Sequence, residues 1–369
     1  MPSYHDLRPE EDFEKRDYAL VFPGMTVTEK RRTIRNLLRL KDGLTAIPSR
    51  RTEDNLIIAS WNIKEFGHTT QRLPEAFFYI AEIISTFDLV AIQEIKSSVF
   101  DLDIIMRLLG DNWQYLVNDI TNGTDGNSER SAYLFNTSRV KLSGLAGEIS
   151  LWDELTVDSD LKQLKRAPYI TGFCAGWKTF AMVNLHLHPS DSDDDVELRK
   201  EEVRLLLAAI AEKRRLKQLF SDNLVLVGDF NFYEDFDGDT IQMIEDAGFF
   251  QIESLKGKDT NASKTEAYDR FFIRKNEYFA INRDENDDEI AGVFDPFQFV
   301  YRDGSHSTYK SFMKKHYTGD KPEAEFLATI HKYYKHPWRK NQVSDHFPIW
   351  FDLNIDSSVR FLEGNLEDL

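Results

Sequence analysis

Residues 56–63 read LIIASWNI and residues 89–94 read LVAIQE, two short apolar runs that are typical of buried β-strands. A helical pattern from about residue 73 to residue 86 lies between them. A strand, a helix and a second strand in this order place the ends of both strands at one rim of a sheet, where layered α/β sheets bind ligands. We therefore expect Asn62 and Glu94, which stand at the ends of the two runs, to lie at that rim. Each of them, taken alone, could equally be a strand-end cap.

A second pair of predicted strands also ends in polar side chains. Residues 224–231 read LVLVGDFN, and because side chains alternate along a strand, Asp229 and Asn231 lie on the same side. A core strand would avoid such a pair, which favours a functional role. Residues 180–188 alternate as well, so His186 shares a face with His188. His188 adjoins a turn and is expected to be an ordinary polar-face residue.

An aspartate and a histidine stand side by side where the last apolar run begins. Asp345 and His346 directly precede residues 347–353, and Asp269 stands at the mouth of another predicted strand. A carboxylate can bind a hard divalent cation, and a neutral imidazole can take a proton from water near neutral pH. These are the two requirements of metal-assisted hydrolysis. A lone Asp–His pair could be only a polar turn, but the other strand ends supply more groups of the same kind.

The composition limits the class of protein. The chain has 369 residues, and its single cysteine, Cys174, excludes an internal disulfide and suits a reducing compartment. Residues 1–17 lack the apolar core of a secretory signal, and no apolar run approaches the roughly 20 residues of a membrane helix. We therefore expect a cytoplasmic protein. The net charge of -17 argues against broad polyanion binding, but it permits a local cationic track or a bound metal.

The sequence pattern divides the chain into three parts. Residues 1–54 form an N-terminal helical extension, residues 55–355 a catalytic domain, and residues 356–369 a C-terminal tail with little to pack. The rhythm of strands breaks at about residues 275–340, which we interpret as an insertion packed on the body, with a helix at about 322–334.

The extension contains a basic helix. Thr26 and Glu29 have the spacing of a capping box and predict a helix that runs to about Lys41. Its predicted apolar side consists of Ile34, Leu37 and Leu38. Its basic residues are Lys30, Arg31, Arg32, Arg35, Arg39 and Lys41, with Arg50 and Arg51 beyond. They suit either an arm that contacts phosphates or a solvated helix docked on the body.

Together the strand ends and turns offer histidines, carboxylates, amides and an arginine, a set suited to phosphodiester hydrolysis. The set consists of Asn62, Glu94, Glu129, Arg166, His186, Asp229, Asn231, Asp269, Asp345 and His346. The motifs that contain them are WNIKEFG (61–67), IQE (92–94), ER (129–130), RAP (166–168), LH (185–186), GDFN (228–231), AYDR (267–270) and SDHFP (344–348). In this order, the motifs resemble the endonuclease/exonuclease/phosphatase superfamily, and within it the deoxyribonuclease I branch.

The resemblance implies an α/β fold, namely a four-layered α/β/β/α sandwich of two mixed sheets flanked by helices. It also implies hydrolysis by water with a divalent cation, Mg²⁺ in the first place and Mn²⁺ or Ca²⁺ as alternatives. The implied metal ligands are Glu94, Asn62 and Asp345. So few carboxylates suit a cation that keeps part of its water shell.

The resemblance further implies a role for each catalytic residue. Glu129 would orient His186 and Asp269 would orient His346, because the family pairs each histidine with a carboxylate. One histidine would accept the proton of the attacking water, and the other would donate to the leaving oxygen or steady the phosphate; the direction stays open. Asp229 would position the nucleophile. The residues implied to contact the substrate phosphate are Arg166, Asn231 and Lys96.

Details of the motifs favour one branch over its relatives. The run Tyr268-Asp269-Arg270, together with the ER motif, resembles the deoxyribonuclease type more than inositol polyphosphate phosphatases, apurinic-site endonucleases or sphingomyelinases. Two substitutions depart from that type: Asn127 stands in place of a tyrosine, and Lys96 replaces an arginine that reads the minor groove, which keeps the charge but loses the planar fork. The disulfides and secretory signal of the animal enzymes are missing as well.

The sequence therefore predicts a metal-dependent endonuclease whose partner is a nucleic acid substrate, DNA in the first place. No partner protein follows from the sequence. The alternative within the enzymes is a phosphatase or a phospholipid-type phosphodiesterase that acts on a small phosphorylated substrate, which the acidic composition favours. A catalytically silent binding module is disfavoured, because the chain retains every catalytic residue of the set.

Overall fold

The computed structural model describes residues 2–9, 20–48, 53–67, 71–120, 128–219 and 221–368. Within these residues the strands are β1 (Asn55–Phe66), β2 (Leu89–Ile95), β3 (Trp113–Val117), β4 (Arg130–Asn136), β5 (Lys141–Glu148), β6 (Tyr169–Ala175), β7 (Lys178–His186), β8 (Leu224–Asp229), β9 (Phe250–Gln251), β10 (Asp269–Ile273), β11 (Ala291–Val293) and β12 (Ile349–Asn354). The α-helices are α1 (Val27–Leu44), α2 (Pro74–Ile84), α3 (Phe100–Leu109), α4 (Asp193–Arg215), α5 (Gly238–Asp246), α6 (Lys310–His316), α7 (Glu323–Ala328), α8 (Ile330–Tyr333), α9 (Arg339–Gln342) and α10 (Ser358–Asp368).

The strands form two six-stranded sheets. The first has the order β11-β12-β1-β2-β4-β3, and the second has the order β5-β6-β7-β8-β10-β9. In the first sheet β1 and β2 are parallel, and in the second β7 and β8 are parallel, while the other strand pairs are antiparallel. Both sheets are therefore mixed, as predicted.

The sheets pack face to face with helices outside. The apolar core between them includes Leu56 and Ile58 of β1 and Val225 and Val227 of β8. Helices α1, α2 and α3 share a second core with the outer face of the first sheet, and α4 and α5 share a third core with the outer face of the second sheet. The four-layered α/β/β/α sandwich is thus confirmed.

The N-terminal helix docks on the body. Thr26 and Glu29 form the predicted capping box, and α1 continues to Leu44. The ammonium group of Lys30 donates to Arg8 O, Arg32 forms an ion pair with Glu75 of α2, and Lys41 pairs with Glu82. Three of its basic side chains therefore stabilise the fold, which favours the docked helix over a phosphate-contacting arm.

The buried face of α1 differs from the prediction. Leu37 is buried as expected, but Ile34 is 38% and Leu38 64% exposed, and Leu40 takes a core position instead. Arg50 and Arg51 lie outside the described residues.

The segment 275–340 is only in part an insertion: Phe279 and Ile281 pack in the core between the sheets and residues 291–293 form β11 of the first sheet, whereas residues 294–340 pack on the first sheet's helical layer. Tyr301, Tyr309 and Trp338 are buried, and the Tyr309 hydroxyl donates to Glu75 of α2. The helix expected at about 322–334 is interrupted: α7 ends at Ala328, α8 follows, and a π-helical turn carries the chain past Pro337. Proline cannot donate the backbone hydrogen bond that an α-helix needs, which accounts for the wide turn.

Two smaller findings complete the fold. The tail forms α10, whose Phe361 ring lies 5.9 Å from the Trp177 ring, while Leu362 and Leu366 are exposed. None of the helices in the described segments is both long and apolar enough to cross a bilayer.

Candidate active site

Asp229 is the centre of the site. It ends β8, where backbone pairing sets it beside His186 of β7 and Asp269 of β10. Its Oδ2 atom lies 3.7 Å from Nε2 of His186 and 3.7 Å from Nε2 of His346. Two histidines that are 160 positions apart in a sequence of 369 residues therefore point into one space.

The glycine before Asp229 allows the two strands to approach this closely. Gly228 has φ 135°, a conformation that side chains rarely adopt, and a Cβ at this position would lie 2.0 Å from Leu185 O on β7. The GDFN motif thus needs its glycine for the backbone and its aspartate for the site.

His186 stands against Glu129, which precedes β4. Nδ1 of His186 is 3.1 Å from Glu129 Oε2. Lys96 donates to Glu129 Oε1 at 2.9 Å, and Arg166 donates through Nε to Glu129 Oε2 at 2.9 Å. Burial opposes the charge of this carboxylate, but His186, Arg166 and Lys96 together hold the pKa of Glu129 well below its usual range.

His346 stands against Asp269. Nδ1 of His346 is 2.8 Å from Asp269 Oδ2, and the Thr260 hydroxyl donates to the same oxygen at 2.7 Å. Burial alone would lower the pKa of His346, but the nearby charges of Asp269 and Asp229 raise it well above the ordinary value. The Tyr268 ring lies 6.0 Å from the imidazole and covers its outer side.

The candidate cation site adjoins Asp229 on the side of the first sheet. The Asn62 amide nitrogen donates to Asp229 Oδ2 at 2.9 Å and to Glu94 Oε1 at 3.0 Å. Its oxygen, Oδ1, is buried and has no hydrogen-bond partner among the residues that the structure describes. A buried amide oxygen next to a carboxylate is a suitable ligand for a hard cation.

Asp345 completes the candidate cation site and is paired with a lysine. Lys64 donates to Asp345 Oδ2 at 2.7 Å, and Glu94 is among the charges that raise the pKa of Lys64 against the effect of burial. The lysine thus lies near both candidate ligand carboxylates. Among the described residues, no three His, Cys, Asp or Glu side chains form a group arranged to hold a metal. Two carboxylates and one amide would suit a cation such as Mg²⁺ that keeps several waters.

Ser344 holds the two halves of the site together. Its hydroxyl donates to Asn62 O at 2.6 Å and accepts hydrogen bonds from the backbone N–H groups of His346 and Lys64. Glu94 has φ 61°, a strained conformation for a residue with a side chain. Its carboxylate also accepts from Glu65 N.

The structure brings the ten predicted side chains to one rim, although some make contacts other than those expected. The Asn231 amide donates to Leu187 O, so its nitrogen supports the neighbouring strand. Lys96, predicted to contact the substrate phosphate, is 8% exposed and bound to Glu129 instead. Arg270 points away from the site and donates to Gln251. Asn127 lies outside the described residues.

Four residues of the site were not assigned a role from the sequence: Thr260, Lys64, Ser344 and Tyr268. The last three lie inside the recognised motifs, so position in a motif could have indicated them. Thr260 lies in a loop with no motif around it. Only its contact with Asp269 reveals it.

Comparison with known proteins gives distant sequence relatives. No family model matches the chain. Deoxyribonuclease-1 of Bos taurus is 25% identical over 240 residues, which is 59% of this chain and 77% of the bovine protein. Deoxyribonuclease gamma of Rattus norvegicus is 26% identical over 265 residues, 67% of this chain and 78% of the rat protein. The match to deoxyribonuclease-1 of Homo sapiens, 25% identical, covers 48% of this chain and 61% of the human protein, less than two thirds of its length.

Two solved structures share the fold. An endonuclease/exonuclease/phosphatase family protein of Bacteroides thetaiotaomicron superposes with a TM-score of 0.50 and 16% identity, covering 82% of this chain and 95% of that protein. The human nocturnin catalytic domain superposes with a TM-score of 0.50 and 14% identity, covering 82% of this chain and 94% of the domain. At this identity the likeness shows the architecture alone.

Proposed function

We propose that this chain is a divalent-metal-dependent endonuclease that hydrolyses phosphodiester bonds of DNA. It belongs to the endonuclease/exonuclease/phosphatase superfamily and is deoxyribonuclease I-like. The observation that carries the proposal is the convergence of the His186 and His346 Nε2 atoms on Asp229 Oδ2, each at 3.7 Å. A phosphate bound next to Asp229 would contact both imidazoles.

A carboxylate lies beside the other ring nitrogen of each histidine. Nδ1 of His346 is hydrogen-bonded to Asp269 Oδ2 at 2.8 Å, whereas the buried Nδ1 of His186 makes no hydrogen bond among the described residues. Glu129 lies against Nδ1 of His186 and Asp269 lies against Nδ1 of His346, which leaves both Nε2 atoms turned to the reaction space. For His346, the pairing with Asp269 sets the tautomer and raises the basicity of the outer nitrogen. The two imidazoles can therefore take a proton from water and give one to the leaving oxygen.

The metal ligands are proposed to be Glu94, Asn62 and Asp345. The unpartnered, buried Asn62 Oδ1 supports this assignment, because the amide nitrogen of the same side chain is already bound to Glu94 and Asp229. A bound Mg²⁺ would neutralise phosphate charge and favour deprotonation of a water. Asn62 would hold Asp229 and the metal ligand Glu94 in fixed positions relative to each other.

Arg166 is the proposed contact for the substrate phosphate from the side of the second sheet. Its Nε is bound to Glu129, and Nη1 contacts Leu187 O at 3.4 Å. The carboxylate thereby fixes the guanidinium beside His186. Lys96 is proposed to support Glu129 rather than the phosphate, because its ammonium group is buried against that carboxylate.

Plasmid nicking tests the proposal. The intact protein should convert supercoiled DNA to the open circle with Mg²⁺, and a chelator should stop the reaction. His186→Ala should lose most of the activity, whereas His188→Ala should keep it, because His188 pairs with Asp195 outside the site. Absence of nicking by the intact protein with Mg²⁺, Mn²⁺ and Ca²⁺ would refute the nuclease proposal.

A second candidate is hydrolysis of a small phosphorylated substrate. The cavity between Tyr233 and Ala267, beside the site, is lined by Asp191, Glu234, Asp235, Asp259 and Glu266, which disfavours a long polyanion there. Assays with inositol phosphates and sphingomyelin beside DNA distinguish the two candidates: release of phosphate or phosphocholine without DNA cleavage would favour the second.

A further inference from the structure

The loop that carries Thr260 lines two cavities of different charge. The first, here called the Glu266 cavity, has a volume of about 290 Å³, and among the described residues that line it are five carboxylates and no lysine or arginine. The second, here called the Arg302 cavity, has a volume of about 500 Å³ and is lined by Lys264, Arg302 and Arg339 together with Asp295 and Asp303. The two cavities therefore present different electrostatic fields to a charged substrate bound next to Asp229.

Residues of the Arg302 cavity wall adjoin the metal side of the site. Phe347, in its wall, directly follows His346, and Ala262 N in the same wall donates to Asp345 O at 2.7 Å. Lys340 bridges the two regions, since its ammonium group donates to Ser263 at 3.2 Å and Lys64, Arg339 and Asp345 are close enough to affect its pKa. Burial is the main reason why the pKa of Lys340 is lowered.

The carboxylates of the Arg302 cavity are already neutralised. Asp295 pairs with Lys264 at 2.9 Å, and Asp303 pairs with Arg339 at 2.5 Å and with Lys335 at 2.6 Å. Within the part of the chain that the structure describes, the exposed Arg302 side chain makes no hydrogen bond or ion pair. Its guanidinium is therefore available for an anionic group.

The Glu266 cavity has the opposite character. The pKa of Glu266 is raised, mainly by burial and further by the charges of Asp259, Asp235 and Glu234, so these carboxylates repel one another. The cavity reaches the site through aromatic rings: the Tyr233 ring is 5.2 Å from Tyr268, which covers His346. A phosphate chain that left the site on this side would meet uncompensated negative charge.

We propose that the nucleic acid substrate is bound asymmetrically, with its phosphate chain running from the site over Lys340 and into the Arg302 cavity, and that the Glu266 cavity keeps the chain off the other side. The proposal rests on the proposed function for the position of the scissile phosphate. The Arg302 cavity and Lys340 would supply the affinity for nucleic acid in a protein whose net charge of -17 opposes polyanion binding. The cations in question come from residues 262–264 and from the segment 295–340, outside the recognised motifs.

Charge reversal tests the binding surface. The probe is a short fluorescein-labelled single-stranded oligodeoxynucleotide, with the dissociation constant measured by anisotropy in a chelator so that no cleavage occurs. Arg302→Glu with Lys264→Glu should weaken binding about tenfold and reduce its salt dependence, because phosphate contacts release counterions. Lys141→Glu with Lys217→Glu is the matched control, because it also reverses two exposed cations. Lys141 begins β5, where it pairs with Cys174 at the end of the sheet away from His186, and Lys217 precedes β8, whose other end carries Asp229.

Neutralising the acidic cavity should have the opposite effect. Asp235→Asn with Asp259→Asn changes two exposed side chains and should tighten oligonucleotide binding severalfold. Failure of the intact protein to bind the probe would overturn the proposal. Equal weakening by the Lys141/Lys217 variant and by the Arg302/Lys264 variant would also overturn it, because net charge alone would then account for the effect.

A parallel assay separates this proposal from the proposed function. Hydrolysis of bis(p-nitrophenyl) phosphate needs the catalytic centre but no extended phosphate track. The Arg302/Lys264 variant should hydrolyse this diester at an unchanged rate, and a matching loss on both substrates would contradict the proposal. If the intact protein binds the oligonucleotide as described but hydrolyses neither substrate, the catalytic proposal fails while the binding surface stands.

Discussion

His186 and His346 place their Nε2 atoms at the same 3.7 Å distance from Asp229, but different groups hold the carboxylates behind them. Glu129, behind His186, also accepts from Lys96 and Arg166. Asp269, behind His346, accepts from the neutral Thr260 hydroxyl. The first carboxylate is thus surrounded by cations, and the second acts mainly on its histidine.

This difference appears in the pKa of one group in each pair. The negative charge of Glu129 is shared among three partners, which keeps its pKa low. The charges of Asp269 and Asp229 act on His346 and raise its pKa. The two pairs therefore differ in their electrostatics, although both Nε2 atoms lie at the same distance from Asp229.

The largest expected effect is on activity. His186→Ala and His346→Ala should each reduce kcat about 10²–10⁴-fold, the range of one proton-transfer group. The double variant should lose far less than the product of the two effects, because both imidazoles act on one phosphate. Steady-state kinetics on DNA, with His188→Ala as the control, provide the measurement. Full multiplicative losses would mean that the two histidines act in separate steps.

The next effect is on stability. Glu129→Gln removes the negative charge that Lys96 and Arg166 share and leaves buried cations without a counter-charge, so the free energy of unfolding should fall by about 3 kcal/mol. Asp269→Asn, which removes a charge held by a hydroxyl and an imidazole, should cost less, about 1 kcal/mol. Urea denaturation measures both values.

A double variant serves as the control for this pair. Glu129→Gln with Lys96→Met should recover part of the loss, because one unpaired cation disappears with the carboxylate. Equal costs for Glu129→Gln and Asp269→Asn would remove the proposed contrast between the two pairs.

The two pairs should also limit stability at opposite ends of the pH scale. The lowered pKa of Glu129 contributes stability that is present above its ordinary value of 4.5 and is lost as the pH falls through the lower, folded-state pKa. The raised pKa of His346 contributes stability that is present below its ordinary value of 6.5 and is lost as the pH rises through the folded-state pKa. Unfolding of the metal-free protein, followed from acid to alkaline pH, should show both limbs.

Variants show which residue causes the loss of stability at acid pH, the acid limb, and which causes the loss at alkaline pH, the alkaline limb. Glu129→Gln should flatten the acid limb and leave the alkaline limb, and His346→Asn should do the reverse. An alkaline limb that persists in His346→Asn would show that the pairing with Asp269 and Asp229 does not hold the proton.

The sequence predicts the strand ends well because the physics there is local. Asn62, Glu94 and Asp229 each end an apolar run, and parallel strands must bring such ends to one rim, so composition along the chain determines where they lie. The same reasoning fails for Lys96. It also follows a strand end, but whether an ammonium group meets a substrate or Glu129, 33 residues away, depends on tertiary packing.

Two helical predictions show a similar limit. The capping box of α1 is a local signal and is correct, whereas the buried face of the helix depends on the partner, so Leu40 replaces Leu38 in the core. In the insertion, apolar and helix-forming residues at about 322–334 predict one helix. The structure instead ends α7 at Ala328 and begins α8 at Ile330, and the buried Tyr334 and Trp338 belong to the π-helical turn that follows.

Thr260 was not predicted from the sequence. Its substitution should have the smallest effect on activity of the changes considered. Its hydroxyl donates to Asp269 and accepts from Asp269 N, so it fixes the carboxylate that holds His346. Thr260→Val keeps the shape but loses both hydrogen bonds, and kcat should fall about fivefold with little change in KM.

Thr260→Ser keeps the hydroxyl and should restore activity. Because Thr260 acts through Asp269, the alkaline limb of the stability profile should shift in Thr260→Val and stay in place in Thr260→Ser. A loss in both variants would indicate that the methyl packing, rather than the hydrogen bond, supports His346.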